Sequence, residues 1–141
     1  MHHIKLENTT ERESVKVLRE CIELQIRKST DYQNPNSRIK QADYYPNGII
    51  SLLDIVHAKK LRMESVIGAM QNDPNYRPNF ESIEDSAKDM INYCSFIVSY
   101  CRGKIDGQRL DRDFLNRPIT ASPTPEQKQI AQLLTEDKAN Q

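Results

Sequence analysis

Phe80-Glu81-Ser82-Ile83-Glu84-Asp85-Ser86-Ala87-Lys88-Asp89-Met90-Ile91-Asn92-Tyr93, continuing apolar to Cys101, is the stretch that decides the fold. Its periodicity predicts a helix with two opposed faces. Ile83, Ala87, Met90, Cys94, Ile97 and Cys101 recur at alternating steps of four and three, which makes one apolar stripe. Glu81, Asp85, Asp89 and Asn92 share the far side, and this acidic row runs into Phe96 with Tyr93 and Tyr100 beside it. A helix apolar on one side and aromatic on the other is expected to be covered on both. Carboxylates on a covered face must be paired, protonated or bound to a metal.

Upstream, a second helix is expected over residues 49–70, with a stripe of Leu52, Val56, Lys59, Met63, Val66 and Met70. A lysine inside a core stripe is out of place unless it snorkels or faces an anion. That anion is either a carboxylate of the third helix or a bound phosphate. Phosphate is the expected partner, which makes Lys59→Met nearly neutral for stability. Arg62 lies one turn on, and Asp54 begins the polar side. A first helix should start at a Thr10-x-x-Glu13 capping box and reach about residue 29. Its stripe of Val17, Cys21 and Leu24, widened by Val15, Leu18 and Ile22, turns polar at Lys28 and Asp31.

The connection over residues 31–48 holds Tyr32, Tyr44 and Tyr45, placed either to stack on a base or to pack the loop down. Gly103 is a natural end for the third helix. Residues 1–117 therefore read as one all-α bundle of three main helices. Residues 118–141 read as a linker with Pro118, Pro123 and Pro125, then a short C-terminal helix using Ile130, Leu133 and Leu134.

The chain of 141 residues carries 20 basic and 20 acidic side chains, so it lacks the basic excess of a duplex nucleic-acid binder. No apolar run is long enough to span a membrane, and no signal peptide opens the sequence. The three cysteines sit on apolar helix faces without zinc spacing, which reads as buried and reduced in the cytoplasm. Tryptophan is absent and aromatics are few, so a homo-oligomer is expected to complete the core.

There is no Gly-rich phosphate loop and no nucleophile–histidine pairing. Carboxylates on one helix beside cations on its neighbour suit magnesium and substrate phosphates. Asp31-Tyr32, then Asp54-x-x-x-x-Lys59-x-x-Arg62, then Glu81-Ser82-Ile83-x-Asp85-x-x-x-Asp89-x-x-Asn92-Tyr93 resemble the phage nucleotide-modification-associated domain family. That family is similar to the MazG-like all-α nucleoside triphosphate pyrophosphatases.

The resemblance covers roughly residues 25–105. It implies a nucleotide-binding, oligomeric bundle that is a magnesium-dependent pyrophosphohydrolase of phage type, acting in the host cytoplasm. Asp85 and Asp89 would be catalytic and, with Glu81, would hold the metal. Lys28, Asp31, Tyr32, Asp54, Lys59, Arg62, Asn92 and Tyr93 would bind the nucleotide. The chain departs from the superfamily pattern in one respect. Glu20-x-x-Glu23 and Glu81-x-x-Glu84 are present, but Asp85-x-x-x-Asp89 stands in place of the later Glu-x-x-Asp pair. The second expectation is therefore a non-catalytic sponge that sequesters a nucleotide, including a cyclic nucleotide signal of host antiviral defence.

Overall fold

The structure is a computed structural model describing residues 11–32, 34–79, 81–115, 117–119 and 125–139; for Tyr32, residues 127–128 and 136–139 it describes the backbone alone. The expected Thr10 cap, Phe80, Pro123 and the Tyr32 side chain lie outside it. The described residues form α1 (Glu13–Tyr32), a 3-10 turn (Gln41–Tyr44), α2 (Ile49–Asn72), α3 (Ile83–Cys101) and α4 (Pro125–Ala139), with no strand among them. The all-α bundle of three main helices and a short C-terminal one is what the periodicities predict. α1 runs on through Tyr32, beyond the expected end at about residue 29.

Both α1 and α2 pack on α3. Cys21 meets Lys88 and Asn92, and Gln25 meets Asn92 and Ser95, so α1 and α3 advance together and lie parallel. Arg62 instead reaches Glu81 at the start of α3, while Ile49 and Leu52 sit with Tyr100 at its end, so α2 runs antiparallel. α1 and α2 are therefore antiparallel as well, and α2 is itself the return that connects the parallel pair α1 and α3.

The core is Tyr45, Ile49, Leu52, Tyr100 and Ile105, with Ile55, Tyr93, Phe96, Ile97 and Phe114 packed against it. The aromatic side of α3 is thus its core side. Along the stripe expected to be the core, Cys94 is exposed and the other members are half-buried. Ile91, Cys94 and Val98 make an outer row instead. On α1, Cys21 is buried as expected, but Leu18 and Ile22 are exposed, in a row continued by Ile26.

The segment after α3 anchors the 3-10 turn. Gly103, at φ 69°, closes α3 by donating to the Tyr100 carbonyl at 3.0 Å while Lys104 donates to that of Ser99 at 3.0 Å. The chain then bends so that the Asp106 carbonyl accepts from Ala42 N–H at 3.0 Å. At Gly107 the φ is 82°, and a Cβ there would overlap the Lys40 side chain. Only glycine lets the two backbones approach this closely.

Candidate functional site

α3 begins in a reciprocal cap. Asp85 N–H donates to Ser82 Oγ at 3.1 Å, and Ser82 returns its N–H at 3.1 Å and its hydroxyl at 2.8 Å to Asp85 Oδ2. These bonds hold the Asp85 carboxyl below the usual carboxylate range. The residue expected to be catalytic and metal-ligating is thus engaged in capping the start of the helix. The Ser-x-x-Asp spacing that marks such a cap is visible in the sequence, although it reads there as part of an acidic row.

Glu81 and Asp89 converge on Lys59. Its ammonium lies 3.0 Å from Glu81 Oε1 and 2.9 Å from Asp89 Oδ2. The other Asp89 oxygen takes Lys28 at 3.0 Å. Glu81 is further held by the buried Ser86 hydroxyl at 2.9 Å, and Arg62 donates to its main-chain carbonyl at 3.3 Å. The Asp89 side chain is 13% exposed and that of Lys59 is 23% exposed, so neither charge is fully hydrated.

Burial pushes the Asp89 carboxyl up, but bonds from Lys59 and Lys28 outweigh it and keep the group below the usual range. For Lys59, burial lowers the ammonium, and its bonds to Asp89 and Glu81 raise it further still. Lys59 thus faces a pair of carboxylates, one of the two kinds of anion open to it from the sequence.

A magnesium site at Glu81, Asp85 and Asp89 does not fit this arrangement. Lys59 occupies the position between Glu81 and Asp89 that a cation would take, and Asp85 belongs to the cap. Among the described residues no group of three or more His, Cys, Asp or Glu side chains is placed to hold a metal ion.

On the far side of Asp89 a cavity of about 250 Å³ opens between α1, the 3-10 turn, α2 and α3. Tyr44, Tyr45, Tyr93, Phe96 and Ile55 supply its apolar surface. The Tyr93 and Phe96 rings meet edge to face, at 5.7 Å between centroids and 86° between planes. The polar lining includes Lys28, Asp89, Gln25, Gln41, Ser29 and Asn92. Asn92 is 8% exposed and clamps α1 to α3 by donating to the Cys21 carbonyl at 3.1 Å and accepting from Gln25 at 3.3 Å. It is a fixed wall of the cavity.

Of the residues singled out from the sequence, the cavity gathers Lys28, Asp89, Asn92 and Tyr93. Lys59, Arg62 and Glu81 stand behind Asp89 as its support. Asp31 and Asp54 are exposed and do not line the cavity. Of the loop tyrosines, Tyr45 is buried in the core and also lines the cavity, and Tyr44 is exposed at the cavity wall.

Gln25, Ser29, Gln41, Ile55 and Phe96 complete the lining without having been read as site residues. The change of the α1 stripe to polar groups toward Lys28 was the signal for the first two. Together these groups can hold a flat, partly polar ligand against aromatic walls. With Asp89 committed to two lysines, they offer no free carboxylate as a base. No family model, curated protein or solved structure matches the chain.

Proposed function

We propose that the chain is a nucleotide-binding protein that holds its ligand without hydrolysing it, the base lying in the aromatic-walled cavity. The observation that carries this reading is the cavity itself, with three tyrosines and a phenylalanine on its surface and a lysine at its polar edge. Aromatic faces accept any nucleobase, because every base has a π-face. The resemblance of Asp54-x-x-x-x-Lys59-x-x-Arg62 and Glu81-x-x-x-Asp85-x-x-x-Asp89-x-x-Asn92-Tyr93 to the phage nucleotide-modification-associated family supports the same ligand class.

The hydrolytic reading requires Glu81 and Asp89 to exchange Lys59 for magnesium, at the cost of expelling a well-bonded ammonium. Holding a nucleotide, linear or cyclic, requires no exchange. The chain works in this reading as a cytoplasmic homo-oligomer, which its exposed apolar rows on α1 and α3 support. Among the described residues no helix is long and apolar enough to cross a membrane.

Incubation with a nucleotide panel tests the proposal. Binding that survives a chelator, with unchanged ligand recovered by mass spectrometry after denaturation, is the expected result. Magnesium-dependent release of a nucleoside monophosphate and pyrophosphate would overturn it.

A further inference from the structure

The charges around the cavity narrow the ligand class. Among the described residues two charged side chains line it, Lys28 and Asp89, and they are bonded to each other at 3.0 Å. The cations behind Asp89 are committed elsewhere: Lys59 to two carboxylates, and Arg62 to the Glu81 carbonyl. The α3 N-terminus, whose free N–H groups would otherwise attract an anion, is capped by Ser82 with the Asp85 carboxylate beside it. A polyphosphate brings several negative charges, and it needs either a cluster of cations or a metal held by free carboxylates. Neither lines the cavity among the described residues.

The cavity is also small. Its volume of about 250 Å³ lies just below the roughly 300 to 1,000 Å³ usual for ligand pockets. That suits a base and its sugar better than an extended polyphosphate tail.

Resting on the nucleotide reading above, we infer that the cavity takes a nucleoside or a nucleotide with a single phosphate group and rejects di- and triphosphates. Lys28 is the recognition cation. It is the one ammonium lining the cavity among the described residues, nearly half-exposed, and it can turn part of its bonding capacity from Asp89 to an incoming phosphate while Lys59 keeps Asp89 neutralised. A phosphate monoester and the phosphodiester of a cyclic nucleotide present the same chemistry to this lysine.

Calorimetric titration of the full chain with the common nucleosides, their 5′-monophosphates, 3′,5′-cyclic monophosphates and triphosphates, in chelator and in magnesium, tests the inference. For the preferred base, one of the two single-phosphate forms should bind best. The triphosphate should bind about tenfold or more weaker than that form, with no gain from magnesium. Lys28→Ala should cost the single-phosphate ligand about tenfold more than it costs the nucleoside, and Lys28→Arg should restore most of the difference.

A triphosphate that binds as tightly as the single-phosphate forms, or only with magnesium, overturns the inference and leaves the nucleotide reading standing. Silence from all four series overturns both.

Discussion

Removing the ammonium of Lys59 leaves Glu81 and Asp89 sharing one vacated position on the α2–α3 seam. Stranding a fully buried carboxylate costs about 3–5 kcal/mol. Here both carboxylates are partly hydrated, and Lys28 and Ser86 remain as partners, so about 2 kcal/mol is expected for Lys59→Met. Thermal denaturation should show a Tm lower by roughly 5–8 °C, and adding Glu81→Gln should recover part of the loss. An unchanged Tm would mean the ion pairs contribute nothing.

Asp89 gives a pH signature. Its folded carboxyl lies below the unfolded value of about 3.9, so its contribution is complete above roughly pH 5 and is lost as the pH falls below about 4. Lys59 is shifted upward, so its contribution is lost only as the pH rises past roughly 10 and adds no slope in acid. Asp89→Asn should therefore flatten the acid limb of a Tm-against-pH curve. A limb parallel to that of the unsubstituted chain would remove Asp89 from the account. The sequence places Lys59 on a core stripe and Glu81 and Asp89 on one face, but it carries no register between α2 and α3. That register sets both carboxylates opposite the lysine, and without it the sequence left a carboxylate of the third helix and a phosphate both open as its partner.

For α3, the decisive feature is how it starts. With Ser82 and Asp85 closing the cap, Ser82→Ala should cost about 1 kcal/mol. Asp85→Ala should lower the Tm comparably and leave ligand affinity within about twofold, because the carboxylate acts on the helix end. A Tm left unchanged while binding is abolished would restore Asp85 to the site.

The extent of α2 and the end of α3 were legible because their apolar periods are long and their breakers sharp: 49–70 is expected against Ile49–Asn72 observed, and Cys101 ends α3 as Gly103 requires. The start of α3 was not, because Ser82 caps it and leaves Glu81, expected on the helix, before its first turn. Which face of α3 is core was not legible. Phe96 and Tyr100 displace the Ile83–Cys94 stripe because two large rings bury more area than several small side chains. The cavity wall from the 3-10 turn escaped for a different reason. Its placement depends on the Ala42–Asp106 bond and on Gly107, contacts between segments far apart in sequence.

At the scale of the whole molecule, apolar surface is left over. Ile22 and Ile26 are 57% and 63% exposed on α1, and Ile91 and Val98 form a second row on α3. Rows of this kind are what a second copy of the chain would cover. Light scattering should report a mass above the 16.4 kDa of one chain, and Ile22→Glu should lower it. A dilution-resistant monomer would contradict the assembly.

The central claim is that the aromatic cavity holds a nucleobase without a metal. The chain has six tyrosines and no tryptophan, so tyrosine ring resonances are few and open to assignment. The most direct measurement is the ring spectrum of ¹³C-tyrosine-labelled protein, titrated with nucleosides and single-phosphate nucleotides in excess chelator. Saturable ring-current shifts are expected at Tyr44 and Tyr93, larger than those at Tyr76, which does not line the cavity. Shifts that appear only after magnesium is added, or none at Tyr44 and Tyr93 with any of these ligands, would contradict it.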